Sequence, residues 1–575
     1  MKKITIVMQL KDLSVTLERL RGLGLLHVEH ENLPRGENIA KMKEDRLRAI
    51  EAMAILPDIG GQKSLDGGEG GIVTEILDLV DEKETLAEKL HRIKHEIMMW
   101  EDWGDFDSGI IEQMANSGVW IKLCKITPQE KKNIPEGVIL EELARRKNII
   151  YCVAISENEI KLPFETLTLP EMSLGQMIAE EKRHESRIKE IEKAFLDRAV
   201  YKNALGQYEK YLDSAIEFNE IAEGAGRFEK LSYVKGYCPV ESVGIVEKAA
   251  LKEKWAMLIN DPDESEAPPT LIKNPKWVSI IEPMFNIINT VPGYREIDIS
   301  PHFLIFFSIF FGMLIGDAGY GLVYFIIGLI MQRKFKQMKD KSIFFLTYVL
   351  SSFAIIWGLM TGVFFGPHVW LKPMVPYFAD NTNVQAFCFL IGAMQLTIAH
   401  IWKILRKIPS IKALSDVGWI CILWAAYFMA KTLILNFEFP GFMKWIFIAG
   451  SALVILFTSP MKNILAGIGA GLGDFLLKLV NSFADIVSYI RLFAVGLAGV
   501  AIADAFNQIA GSIGTDSILN GLFTVLVLFA GHTLNLVMGI LAILVHGVRL
   551  NVLEFSGHLD MEWSGVKYAP FKTIK

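Results

Sequence analysis

Cysteine is scarce in this chain of 575 residues: Cys124, Cys152, Cys238, Cys388 and Cys421 stand far apart, with no CxxC pair and no His/Cys cluster. That spacing excludes a disulfide framework and a structural zinc site, and no metal or other cofactor is expected. A basic cluster in the hydrophilic part is missing too, and the formal net charge is −6, so nucleic-acid binding has no support. The apolar run in MKKITIVMQLKDLSV is far shorter than a signal-peptide core, so the hydrophilic half is expected to remain cytoplasmic. A phosphate loop is also lacking. Gly60-Gly61-Gln62-Lys63-Ser64 follows no strand and carries Gln62 where the glycine before the lysine belongs, and GIGAGLG (Gly467–Gly473) has no strand–turn–helix setting. The chain is not expected to hydrolyse ATP by itself.

What is present divides sharply near residue 300. Residues 1–300 carry a net charge of −13 and residues 301–575 a net charge of +7, within a chain that is 51% hydrophobic. The composition reads as a water-soluble half followed by a membrane half, excluding both a wholly soluble enzyme and a single-span anchored protein. The expected domains are 1–300, 301–559 and a cytoplasmic tail, 560–575.

The soluble half opens as strand Lys3–Met8, helix Leu13–Leu23 and strand Leu25–His30. A similar pattern returns as strand Leu231–Tyr237, helix Val240–Leu251 and strand Trp255–Asn260. Two such pieces can complete one α/β lobe. Between them, Leu79, Leu86, Ile93 and Trp100 recur every seven residues, and a second charged segment carries Leu174, Ile188 and Phe195 on one row. Narrow apolar stripes on charged helices predict an antiparallel coiled-coil arm. A small lobe is expected at its end, with strands Val119–Ile126 and Asn148–Ile155 around a helix Glu136–Arg146.

Apolar segments of the second half lie at 303–331, 343–365, 385–404, 414–436, 442–459, 480–511 and 518–555. The first is too long for one comfortable crossing and is interrupted by GDAGYG (Gly316–Gly321). Read as a hairpin turning at Asp317, it places the basic loops (Arg333 to Lys341, and Lys403 to Lys412) on the side of the soluble half. The expected architecture is therefore an all-α polytopic membrane domain of about eight transmembrane helices, with both termini cytoplasmic. The last two helices are unusually long and are expected to tilt.

Those last two segments hold Arg491, in SYIRLFAVGLAG, and Arg549, in HGVRLNVLEF. Charge inside an apolar span is costly and normally faces protein or a water-filled cavity. His532, Asn535, Gly539, Ala542, His546 and Arg549 recur at three- and four-residue steps. Ala484, Ser488, Arg491, Val495, Ala498, Ile502 and Ala505 form a second, mostly small face. Close helix packing is the alternative for both faces, and snorkelling is an alternative for Arg549. Asp504 and Asn507 lie off the small face, while Asp485 and Glu554 lie toward the cytoplasmic side. Lys431, alone in its span, has no assigned role.

These motifs resemble the membrane stator subunit of V/A-type rotary ATPases, subunit I in prokaryotes and subunit a in vacuolar pumps. SYIRLFAVGLA and HGVRLNVLEF are similar to the family's two arginine motifs, FGMLIGDAGYGLV (Phe311–Val323) to its first hairpin, and YREID (Tyr294–Asp298) to its pre-membrane segment. The resemblance implies a prokaryotic cell-membrane subunit whose Arg491 and Arg549 face the buried carboxyls of a rotating proteolipid ring. His546 and Glu554 would support the arginines, Asp485 and Ser488 would lie beside them, and Asp504, Asn507, Asn535 and His532 would line ion half-channels. Further implied partners are the peripheral stalks, the central-stalk adaptor of the ring, and the lipid bilayer. The coupling ion would be H⁺ or Na⁺. Gly539 and Gly499 stand where vacuolar members often carry a glutamate and a histidine. A stand-alone secondary transporter and a membrane scaffold with structural arginines are the rival readings.

Overall fold

The structure is a computed structural model. It describes residues 1–573 except 59–62, 64–67, 133, 136, 160–161, 164–165, 339, 367–371 and 459–463, and only the helical backbone of 464–474. Most of the glycine-rich segment around Gly60–Ser64 therefore lies outside the described residues. The chain forms two compact units: Lys2–Asn260 with Pro570–Lys575, and Met1 with Asp261–Ala569.

In the N-terminal unit, β1 (Lys2–Gln9) leads into α1 (Leu13–Leu23), β2 (His27–Glu29) and α2 (Glu37–Ile55). Leu13, Thr16, Leu17 and Leu20 are the buried residues of α1, a spacing that puts them on one face. Gly24, at φ +63°, then ends the helix. The long α3 (Glu69–Trp100) is followed by α4 (Ser108–Asn116), β3 (Trp120–Ile126), β4 (Val138–Arg146), β5 (Ile149–Ser156) and β6 (Thr166–Leu167). Then come α5 (Leu174–Arg198), α6 (Lys202–Gly224), β7 (Gly226–Phe228), β8 (Leu231–Cys238), α7 (Val243–Glu253) and β9 (Ala256–Asn260).

One sheet has the order β2-β8-β1-β9, with β7 on β8, so strands more than 200 residues apart in sequence share it. Its core contains Ile4, Ile6, Leu17, Leu20, Val234 and Val246, together with Phe571 from the end of the chain. The second sheet, β4-β5-β3-β6, corrects one expectation: Val138–Arg146 is a strand where the pattern suggested a helix over 136–146. Its Leu, Glu, Ala and Arg residues favour helix locally. Pairing with β5 and packing of Val138 and Leu140 on buried Cys152 and Ala154 override that preference.

Helix α3 packs on α5, and α2 on α6. Ion pairs Glu82–Arg187 (2.7 Å), Lys83–Glu192 (2.9 Å) and Lys94–Glu185 (2.7 Å) fix an antiparallel register for α3 and α5, and Glu75–Arg198 continues it.

The second unit contains α8 (Glu282–Ile288), α9 (Ser300–Ile315), α10 (Ala318–Lys334), α11 (Ser342–Thr361), α12 (Asn381–Lys407), α13 (Ala413–Leu435) and α14 (Met443–Phe457). It continues with α15 (Ile464–Ser488), α16 (Ile490–Ile513) and α17 (Ile518–Ala542). Residues 261–299 group with this unit because Val278, Ile281, Met284 and Ile299 are buried in its core. Among the described residues, five helices are long and apolar enough to cross a membrane: Ser342–Thr361, Asn381–Lys407, Ala413–Leu435, Phe475–Ile513 and Ile518–His558.

The turn between α9 and α10 is built on Asp317, which is 1% exposed. Its carboxylate accepts backbone N–H groups from Gly319 (2.7 Å), Tyr320 (3.2 Å), Phe365 (3.0 Å) and Gly366 (3.0 Å). Four such bonds offset part of the cost of burying a carboxylate there, and they tie the hairpin to the segment after α11.

Candidate functional site

Neither long C-terminal segment is a uniform α-helix. Helices α15 and α16 meet at Tyr489, which is fully buried. Its hydroxyl donates to Gln395 at 2.8 Å, and the Gln395 amide donates to Asn551 at 2.9 Å. All three side chains are withdrawn from solvent, so this chain of bonds holds α12, the Tyr489 junction and the last helix in one arrangement. Arg491 lies two residues beyond the junction. The last helix opens into π-helical turns at Ile543–Gly547 and Leu550–Phe555, on either side of Arg549. Such turns reset the angular register, so a stripe drawn at three- and four-residue steps does not continue through them. Accordingly Asn535 is buried, while the Arg549 side chain is 55% exposed.

Four sequence-predicted residues come together. Glu554 Oε1 accepts from Arg491 Nη2 at 2.5 Å and from Ser488 Oγ at 3.3 Å, and it lies 3.5 Å from Arg549 Nε. Arg491 Nε also donates to the Ser488 carbonyl at 3.0 Å. The Glu554 side chain is 5% exposed, and its second oxygen, Oε2, is buried with no hydrogen-bond partner among the described residues. The site thus holds two guanidinium groups against one carboxylate and keeps one acceptor unused. Asp485 lies beside this group but does not join it. Its carboxylate bonds His558 Nε2 at 3.1 Å, and its backbone carbonyl accepts from Ser488 Oγ at 2.7 Å.

A second polar cluster gathers His532, Asn535 and Asn507 around Tyr320. The Tyr320 hydroxyl lies 2.7 Å from His532 Nδ1 and accepts from Asn535 Nδ2 at 3.0 Å. His532 Nε2 lies 3.2 Å from Asn507 Oδ1. Asn507 is 16 residues past Arg491, about 24 Å along a helix at 1.5 Å per residue. The two clusters therefore occupy opposite ends of α16. Asp504 accepts from Gln508 at 2.9 Å rather than joining the second cluster. His546 lies within electrostatic reach of Arg491 and Arg549, but its Nδ1 is buried without a hydrogen-bond partner among the described residues.

The small faces of α16 and α17 meet each other. Val495, Ala498 and Ile502 line a cavity of ≈ 80 Å³ opposite Asn535, Gly539 and Ala542. The small residues Ala498, Gly539 and Ala542 let the two helices approach closely there. Gly496 allows a similar approach on another side, since a Cβ there would stand 2.5 Å from the Met313 carbonyl oxygen. Lys431 sits over the Phe437 ring, 4.4 Å from its centroid, a cation–π contact. Sequence reasoning missed Tyr320, Gln395, Tyr489 and Asn551. A tyrosine directly after a Gly-Asp-Ala-Gly turn, and a glutamine inside an apolar span, were the available signals.

Comparison with known proteins gives this geometry a setting. Residues 224–366 match the model of the V-type ATPase 116kDa subunit family. The V-type ATP synthase subunit I of Borreliella burgdorferi is 32% identical, covering 100% of this chain and 99% of that protein. The V-type ATP synthase subunit I 1 of Treponema pallidum is 29% identical over the same shares. The A-type ATP synthase subunit I of Archaeoglobus fulgidus is 27% identical over 64% of this chain and 62% of its own length. With similarity running end to end and five helices fit to cross a bilayer, the chain belongs to the subunit I family of V/A-type ATP synthases, as a multi-pass membrane subunit of that rotary ATPase.

Proposed function

We propose that this subunit is the stator face of the ion path, with Arg491 and Arg549 set against the carboxyls of a rotating proteolipid ring. The observation that carries the reading is the convergence of both arginines, from two different helices, on one oxygen of Glu554. A ring carboxyl facing lipid holds its proton, because its ionised form would be desolvated. Opposite Arg491 the ionised form is favoured, so the proton leaves. The incoming carboxylate competes with Glu554 for the guanidinium, and Glu554 recovers the arginine when the ring steps on. The Tyr320–His532–Asn507–Asn535 cluster, at the other end of α16, fits the second half-channel, which reloads the site. Fixed positive charge between the two paths opposes direct proton leak. The same stator role serves Na⁺ if the ring site selects it.

Adding the shorter α9, α10 and α14 to the five long spans gives eight crossings. An even number fits a reading with both ends of the chain on one side of the bilayer, and the burial of Phe571 in the core that contains Ile4 and Ile6 supports it. The basic residues flanking α10 and α12 make that side cytoplasmic. We read α3 and α5 as a coiled-coil arm that holds the peripheral stalks, with the central-stalk adaptor seated on the ring.

Arg491→Ala in the reconstituted complex should abolish ATP-driven ion uptake while ATP hydrolysis by the catalytic head stays measurable. Undiminished uptake would sink the assignment, and uptake by the purified chain alone would favour a stand-alone transporter.

A further inference from the structure

The Arg491 site has an unassigned neighbour. Asp416, His400, His558 and Asp485 lie in one line of contacts that draws on α12, α13, α15 and the end of the last helix. Asp416 Oδ1 stands 3.2 Å from His400 Nδ1, His400 Nε2 stands 3.1 Å from His558 Nδ1, and His558 Nε2 stands 3.1 Å from Asp485 Oδ2. Both histidines use both ring nitrogens. Side-chain exposure falls steadily along the line, from 30% at Asp485 through 9% at His558 to 4% at His400 and 2% at Asp416. The line therefore has an open end, next to Ser488 and the Arg491–Glu554 pair, and a closed end.

The charged groups around the closed end fix its chemistry. Lys407 Nζ lies 2.5 Å from Asp416 Oδ2, and Lys403 Nζ lies 3.8 Å from Asp416 Oδ1 and 2.5 Å from Asp560. Two ammonium groups hold Asp416 as a carboxylate, so His400 Nδ1 carries a hydrogen and donates to it. The Trp419 ring covers His400, nearly parallel to it at 17°.

With that hydrogen fixed, three proton arrangements satisfy every contact: two end states and, between them, His558 as an imidazolium that donates to both ionised Asp485 and neutral His400. In the first end state, Asp485 is protonated and donates to His558 Nε2, and His558 Nδ1–H donates to neutral His400 Nε2. In the second, Asp485 is ionised and accepts from His558 Nε2–H, while His400 is an imidazolium that donates Nε2–H to His558 Nδ1. The first becomes the second when the Asp485 proton moves to His558 Nε2 and the His558 Nδ1 proton moves to His400 Nε2. Two hydrogen shifts thus carry one positive charge from the open end to the closed end, and the reverse shifts return it. His558 is neutral in both end states, which differ in its tautomer, and it carries the charge in the arrangement between them.

We propose that Asp485, His558 and His400 form a proton relay that takes up and returns one proton beside the Arg491–Glu554 pair, with Asp416 and its two lysines as the fixed counter-charges. The proposal rests on the stator reading above, and it makes H⁺ the ion handled on this side, since imidazoles in this tautomeric scheme conduct nothing else.

The test uses the reconstituted complex. His558→Ala should lower ATP-driven proton uptake about tenfold or more. Millimolar imidazole, which can enter the vacated space, should restore much of it and shift the pH profile. Unchanged uptake overturns the relay, and so does a loss that imidazole does not relieve and that leaves the pH profile in place, which would make His558 structural. If His558→Ala fails to assemble, His558→Gln, which keeps a polar side chain but cannot be protonated, gives the same comparison. In the wild-type complex, nitrogen chemical shifts should show His558 exchanging tautomers as His400 becomes doubly protonated, and independent behaviour overturns the proposal. Loss of uptake in Arg491→Ala without loss in His558→Ala removes only the relay. Full uptake in Arg491→Ala removes the stator reading itself. Uptake of Na⁺ with no proton uptake in the wild type overturns the relay and leaves the stator role standing.

Discussion

Arg491 is placed by its neighbours more than by its own contacts. Tyr489, fully buried and bonded to Gln395, fixes the junction before it. Gly496, five residues on, lets α16 lie against the Met313 carbonyl. A methyl group at Gly496 would come within 2.5 Å of that backbone oxygen, and a backbone atom cannot swing aside as a side chain can. Gly496→Ala should therefore push α16 away from α9 and cost about 1–3 kcal/mol. A lowered thermal midpoint of the purified chain, with reduced uptake in the complex, would register it; an unaltered midpoint would show that α9 yields. At this scale the arginines were legible in the sequence, because a charge within an apolar run is rare. Their setting was not. Gln395, Asn551 and the His400–His558 contact join residues 94 to 158 positions apart, and no local periodicity encodes such pairings.

Helix pairing in the N-terminal unit depends on charge in a way that pH exposes. Arg187, hydrogen-bonded to Glu82, holds the Glu82 carboxyl below its ordinary range, and Lys94 does the same for Glu185. A depressed carboxyl contributes stability above its unfolded value, near about 4.3, and loses it as pH falls through the folded value. These side chains are open to water, so the effect is modest and screened by salt. The α3–α5 pair should lose helicity at a lower temperature in mild acid than at neutral pH, and high salt should narrow the gap. A midpoint independent of pH in low salt would mean the apolar rows alone hold the pair. Those rows were readable as seven-residue spacing. The misreading of Val138–Arg146 has the opposite cause: its residues favour helix, and only the partner strand β5 decides otherwise.

Across the whole molecule, the composition changes near residue 300, whereas the two units divide between Asn260 and Asp261 and again between Ala569 and Pro570. The last residues leave the helical unit at Ala569 and finish in the N-terminal one. Phe571 is 1% exposed, its N–H donates to the Leu26 carbonyl at 2.9 Å, and its ring lies 6.3 Å from Phe218 and 5.8 Å from the Arg21 guanidinium. Phe571→Ala should destabilise the N-terminal unit by about 3–5 kcal/mol. Faster proteolysis around α1 and α6, with the helical unit unaffected, is the expected sign, and unchanged resistance would show that the ring is dispensable. Nothing in a sixteen-residue tail of mixed composition announces this, since one aromatic residue has no period. The consequence concerns synthesis. A ribosome makes residues 2–260 first and residue 571 only after every residue of the helical bundle, so the N-terminal lobe lacks this core side chain until the whole bundle has been synthesised. A chain cut short before Phe571 leaves that part of the core open to water.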